Sequence, residues 1–328
     1  MLSLGADPNA YYMENDDPNA RQTPLYGAAG VNNNAEMTRL LLEAGADPND
    51  GAPGGGSESL YHASEFSDLT CLRLILEAKP DRDKVSYCLA RKLDFEDYQG
   101  ALLYLDHGAD PNYVTPHSER ITRLHHAVAR GRSAPIVELL LDRGADPMAR
   151  DADGRTPYDI ARRHGHTEVA DLLRARGAHA EPSERDLFLE ACARGDEPAA
   201  RAILAAKPDL VAGLTDQDRE VFTDAAWQGR LDAVRTMLAV GFDPGGTGRG
   251  GATPLHSAAF MGRREVVELL LAHRPPLELR DWHYRATPLQ WAIAGREKTK
   301  EHNPGGDYEG VIDALVRAGA QNAVPSGS

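Results

Sequence analysis

Three cysteines in 328 residues are too few for a disulfide framework. Cys71, Cys88 and Cys192 also lack the paired spacing of a metal site, so a reducing compartment is expected, and no metal. Long apolar runs are missing: none approaches the ~18–20 residues that span a membrane. The N-terminus has neither a basic leader nor a sustained apolar core and does not read as a signal peptide. Positive charge is short as well. Lys and Arg number 36 against 50 Asp and Glu, a net charge of −14. This argues against nucleic acid, whose proteins usually carry a basic face, and against anionic membrane surfaces. The glycine run Gly51–Gly56 lacks the Lys-Ser/Thr of a nucleotide loop and is expected to be a flexible finger. Aromatics make up only 6% of the chain, so a place where they gather is informative.

What is present is a repeated unit, seen most clearly in Gly251-Ala-Thr-Pro-Leu-His-Ser-Ala-Ala-Phe-Met-Gly262 and the following Arg263-Arg-Glu-Val-Val-Glu-Leu-Leu-Leu271. Thr253 is placed to cap a helix, and Pro254 stands at the first helical position, where a missing N–H costs nothing. Leu255, Ala258 and Ala259 make a narrow apolar stripe. Gly262 ends the helix. Val266, Val267, Leu269, Leu270 and Leu271 give a second helix a heavier apolar face. Neither helix can bury its face alone, so similar units must stack on both sides. Thr-Pro-Leu recurs at Thr23 and Thr287, with Thr156-Pro157-Tyr158 as a variant. Gly-Ala-Asp-Pro recurs at Gly5, Gly45, Gly108 and Gly144. Gly108, Gly144 and Gly177 stand 36 and 33 residues apart.

The recurrence of Thr-Pro-Leu-His, the turn glycine, the Leu-rich helix and Gly-Ala-Asp-Pro at a period of ~33 resembles the ankyrin-repeat family over nearly the whole chain. The resemblance implies an all-α solenoid of about nine units with short β-turn or hairpin fingers. A truncated first repeat and about five units are expected over 1–180. About four more, in a changed dialect, are expected over 181–321, with a seam near Pro182, where Ser183 can cap a new helix. The ninth unit is long: Arg274 to Gly319 spans 45 residues where Gly241 to Arg274 spans 33, which places an insertion at 296–307. Residues 322–328 are expected to be a disordered tail. The chain opens with what looks like the end of a second repeat helix, suggesting a fragment of something longer or a misassigned start.

The family's architecture says little about function, because such arrays bind many unrelated molecules. Site candidates must lie where the repeat pattern has no need of them. Carried over from the family, the residues after the pattern's histidine face a concave groove. Here they are Gly27, His62, Leu89, His126, Ile160, Glu190, Asp224, Ser257 and Trp291. Trp227 and Phe260 should sit near that groove. The finger tips add Tyr11, Tyr12, Asp281, Trp282, His283, Tyr284 and Arg285. Aromatic and charged residues are the usual make-up of a binding surface, and all three tryptophans fall in the C-terminal part. His125 and His256 occupy the family's own histidine position and are expected to tie turn to helix rather than to catalyse. Glu190 and Asp224 are expected to neighbour each other, either as a paired acid–base site or as solvated groove charges. Glu301, His302 and Asp307 in the insertion are weighed as metal ligands and not adopted.

The reading that follows is a monomeric cytoplasmic scaffold without cofactor, metal or catalytic residues. It holds a protein partner with a basic or neutral segment. Trp227, Phe260, Trp282 and Trp291 are the anchors, with His126, Glu190, Asp224, Ser257, Asp281, His283 and Tyr284 beside them. One rival is a small-molecule binder or enzyme whose C-terminal pocket is closed by 296–307. The other is the regulatory fragment of a longer protein.

Overall fold

A computed structural model describes residues 5–13, 21–51, 58–115, 120–179, 181–298, 303 and 305–321. The Gly51–Gly56 run beyond Gly51, Glu301, His302 and the tail 322–328 lie outside the described residues. The fold is all-α, helix pairs following one another with little strand: Tyr12–Met13 and Arg21–Gln22 pair antiparallel in an N-terminal finger. Among the described residues the chain falls into two compact units. One runs to residue 161 and resumes at 167–179; the other takes 162–166 and everything from 181 onward.

The first unit opens with a wide π turn, Tyr26–Val31, packed on α1 (Ala35–Glu43). The Thr-Pro-Leu motif at Thr23 predicts an ordinary α turn over Pro24–Ala29. The extra residues Val31–Asn34 are instead absorbed by widening the helix before the Asn34 side chain caps α1. Next come α2 (Glu58–Ala63) and α3 (Thr70–Glu77), then α4 (Arg82–Asp94) and α5 (Tyr98–Asp106). They are followed by α6 (Arg123–Ala129) and α7 (Ala134–Asp142), and by α8 (Pro157–Arg163), whose last two residues count with the second unit, and α9 (Thr167–Ala175). The Gly-Ala-Asp-Pro turns share one geometry. Gly45, Gly108 and Gly144 sit at φ near +90°, a region open to glycine, and turn the chain so that Ala46, Ala109 and Ala145 are buried. The asparagine after the proline ties one turn to the next. Asn112 donates to the Gly144 carbonyl at 2.8 Å and accepts from Asp146 N–H at 2.8 Å; Asn9 does the same to Gly45 and Asp47. The main core of the unit runs from Ala29 through Leu72, Leu89, Leu124 and Val137 to Leu173.

The second unit stacks α10 (Glu184–Ala193) and α11 (Glu197–Ala206), α12 (Asp216–Gln228) and α13 (Leu231–Ala239), α14 (Pro254–Phe260) and α15 (Arg264–Ala272), and α16 (Pro288–Lys298) and α17 (Tyr308–Arg317). Its core gathers Phe188, Phe222, Phe242, Leu255, Val267, Leu289 and Leu315, each worth ~1.5–3 kcal/mol of burial. The first helices α12, α14 and α16 lie side by side and present one face. The caps follow the motif. Thr253 Oγ1 accepts from His256 N–H at 3.4 Å, and the His256 ring reaches back to Thr253, its Nδ1 accepting from the backbone N–H at 3.1 Å. Nε2 of the same ring donates to the Ala286 carbonyl of the following finger at 3.1 Å, so one histidine fastens cap to neighbour. His125 does the same between Thr122 and Arg155.

Candidate functional site

The face of α12, α14 and α16 carries a line of rings. Trp227 is the penultimate residue of α12 and Phe260 the last of α14; their rings stack with centroids 5.3 Å apart and planes 20° apart. Phe260 meets Trp291 of α16 edge-to-face at 5.6 Å, and Trp291 meets Tyr284 of the finger at 6.1 Å. His256 closes on Trp291 from within the stack at 5.4 Å, and His283 on Tyr284 at 5.3 Å. These spacings place each ring against the next, as aromatic pairs prefer. Trp227, Phe260 and Trp291 are half-buried. Tyr284 is 71% exposed and Trp282 70% exposed. Large aromatics that open to water are the anchors of binding surfaces.

The finger that offers Trp282 and Tyr284 is built on Asp281. Its carboxylate accepts from the N–H groups of His283, Tyr284 and Ala286 and from the indole N–H of Trp291, all within 3.1 Å. Burial opposes the charge, but these donors from Tyr284, Ala286, Trp291 and His283 together hold the carboxyl below its usual range. Asp281 is thus 2% exposed and positions the finger from within, where a place among the tips is expected from the sequence. Trp282 N–H donates to the Gly250 carbonyl at 2.7 Å, and its indole lies against Gly251 of the preceding finger. A Cβ on Gly251 would stand 2.6 Å from that ring, and φ there is +74°. Only glycine serves at this position.

The acidic candidates have a different surrounding. Glu190 is ion-paired with Arg162, with Arg194 at 3.8 Å. The Asp224 carboxylate meets His164 at 2.8 Å. Each therefore carries a base from its own chain, and neither fits the expectation of an open acid awaiting a basic partner. Ser257 is 7% exposed, covered within the stack rather than facing solvent. Leu89 is a core residue, because α4 is long and buries that register. In the first unit His126 binds Asp94 at 2.9 Å, where Arg130 stands at 3.4 Å and Arg91 at 3.7 Å. Burial works against the Asp94 charge, yet the hydrogen bond from His126 and these cations hold its pKa low.

Arg163, which no repeat motif singles out, organises the start of the second unit. Its buried guanidinium binds Asp186 at 2.6 Å and also pairs with Asp218. Those two aspartates sit where His125 and His256 sit in their own caps, below Ser183 and Thr215. The sequence carries part of the signal: Asp159, Asp186 and Asp218 replace the pattern's histidine in three successive caps, and the last two share this buried cation.

The inserted stretch begins as helix, since α16 runs on to Lys298. Its described end fastens to the turn after α14: Asn303 donates to the Met261 carbonyl at 2.7 Å, and Asp307 N–H to the Gly262 carbonyl at 3.0 Å. A cleft of about 430 Å³ in this unit is lined by Leu214, Arg219, Phe222, Phe242, Gly245 and Thr247, and contains none of the candidate residues. Among the described residues no group of three His, Cys, Asp or Glu is arranged to hold a metal ion, and no helix is long and apolar enough to cross a membrane.

Models of ankyrin repeats match residues 21–51, 104–161, 153–187 and 222–301. With the helix pairs and their cap geometry, this establishes that the chain belongs to the ankyrin-repeat family. Among curated proteins it is similar to cyclin-dependent kinase 4 inhibitor B of Bos taurus, 34% identical over 125 residues, covering 37% of this chain and 94% of the inhibitor. It is also similar to the putative ankyrin repeat protein YahD of Escherichia coli, at 35% over 121 residues, 34% of this chain and 59% of YahD. The ARF GTPase-activating protein Git of Drosophila melanogaster is 38% identical over 73 residues, 22% of this chain and only 10% of Git.

Proposed function

We propose that the chain is a protein-binding scaffold that seats a partner on the ring-lined face of its second unit. The carrying observation is the continuous row Trp227–Phe260–Trp291–Tyr284, flanked by Trp282, on three adjacent first helices and one finger. Repeat arrays supply extended binding surfaces of this kind, and the repeat pattern does not call for aromatic residues at these positions. A relative named as an inhibitor of a kinase fits a role exercised on another protein. Cys71, Cys88 and Cys192 are buried thiols, none in a disulfide, which agrees with a cytoplasmic location. We take the scaffold to act as a monomer without cofactor.

Affinity capture from cells of the source organism tests the reading. Trp282→Ala removes an open ring and leaves its backbone hydrogen bond, so the helical far-ultraviolet signal should stay unchanged while the captured partner is lost. Trp291→Ala should also lose the partner, with some loss of stability, because Trp291 packs on three rings and binds Asp281. Retention of the partner by both variants would remove this face from the account.

A further inference from the structure

We infer that the ring-lined face takes an acidic protein segment: a stretch of chain carrying Asp or Glu beside aromatic or aliphatic side chains. The inference rests on the partner-binding reading of that face and assigns its sign.

The chain as a whole is acidic, and among the described residues its exposed arginines divide between those that meet a carboxylate and those, such as Arg274 and Arg317, that do not. In the second unit Arg201, Arg219, Arg235 and Arg264 each have a carboxylate within 2.9 Å. Around the rings three arginines meet none. Arg280 and Arg285 bracket the finger that offers Trp282 and Tyr284, and Arg263 stands at the Trp227 end. Among the described residues none of the three has a carboxylate at ion-pair distance. Arg280 donates to the Arg285 carbonyl at 2.7 Å, which holds the finger's base. Arg285 is exposed, and the turn places it at φ +51°. Arg263 donates to the Trp227 carbonyl at 3.1 Å and lies over Gly229.

The carboxylates close by are engaged. Asp281 is buried under four N–H donors, Asp224 meets His164, and Glu278 accepts from Gln321 N–H at 2.8 Å. Glu297 on α16 stands six residues beyond Trp291, more than one and a half turns along the helix. The surface left open is therefore aromatic in the middle and cationic at both ends. Guanidinium groups are the side chains that best engage carboxylates, in paired hydrogen bonds. Open rings take the apolar neighbours of those carboxylates. Rings and cations also suit single-stranded nucleic acid. A peptide is favoured, because the three arginines form no continuous track for a phosphate backbone on a chain of net charge −14.

The test is selection of a random peptide library displayed on phage against the full chain. Anisotropy titrations of dye-labelled winners and of an oligo-dT strand follow. Enriched peptides should be net acidic with aromatic or aliphatic residues. Arg285→Glu should weaken them about ten-fold, and raised salt should weaken them too. Net basic winners, winners indifferent to Arg285→Glu, or oligo-dT binding more tightly than any peptide would overturn the acidic assignment. In those cases dependence on Trp282 still tells whether the face itself binds. No enrichment, or enrichment that survives Trp282→Ala and Trp291→Ala alike, would remove the face and the inference together.

Discussion

His256 shows how a single side chain can hold a repeat together and leave a trace in the pH dependence. Burial keeps its ring below the ordinary imidazole value, with the Ala286 carbonyl pulling the other way. The folded ring is neutral where the unfolded one takes a proton near pH 6.5. The unfolded state therefore binds the extra proton. Stability is full above about pH 6.5 and falls as pH drops from there toward the folded value. His125 adds the same effect in the first unit. Gln290 occupies the equivalent place in the next cap and accepts from Thr287 N–H at 2.9 Å. His256→Gln should thus keep the cap and shrink the loss of unfolding midpoint between about pH 7.5 and 5.5. An undiminished loss in urea titrations would contradict the assignment. Asp281 acts in a lower window. Its depressed pKa gives stability present above about pH 3.9, the unfolded value, and lost as the pH falls through the folded one. Arg163 is the more severe position. Arg163→Ala removes the buried cation shared by Asp186 and Asp218, leaving Asp218 only Arg185 at 3.4 Å, and should lower stability by ~3–5 kcal/mol in denaturant unfolding. A change below ~1 kcal/mol would mean that the caps stand without it.

At the scale of elements, the motifs that state their own geometry were legible and the irregular joins were not. Thr253-Pro254 marks a helix start that the cap realises, and Gly-Ala-Asp-Pro marks turns whose left-handed glycines bury the following alanine. The π turn at Tyr26 was hidden, since sequence shows extra residues without showing whether helix or loop absorbs them. The insertion was visible as a length, but its division into a longer α16 and a return over Met261 and Gly262 depends on tertiary contacts. The rings were visible as residue types. That Trp227, Phe260, Trp291 and Tyr284 meet, while Glu190 and Asp224 are taken by Arg162 and His164, depends on side-chain direction, which spacing alone does not carry. Two predictions belong to elements. Gly251→Ala introduces strain at φ +74° and a clash with the Trp282 ring; it should cost ~1–3 kcal/mol and alter the near-ultraviolet circular dichroism of tryptophan. An unchanged spectrum and stability would place the Trp282 ring elsewhere. Asp307→Ala removes the side-chain cap of α17 and should cost ~1 kcal/mol, read as a lower urea midpoint.

At the scale of the whole molecule, the family membership defines how stability arises, through neighbours stacking on neighbours, and leaves function to the residues that stacking does not use. Those residues gather on the first-helix face of the second unit, where open rings and arginines without carboxylate partners coincide. On the proposed reading a partner sits there, away from the second helices. The most direct measurement is site-specific photo-cross-linking in cells. A benzophenone side chain is placed at Tyr284 of the finger, or at Arg201 of α11 as a control, and adducts are resolved by mass. Adducts with one protein partner at position 284 and none at 201 are the predicted result. Equal adducts at both positions, or adducts at 201 alone, would contradict it.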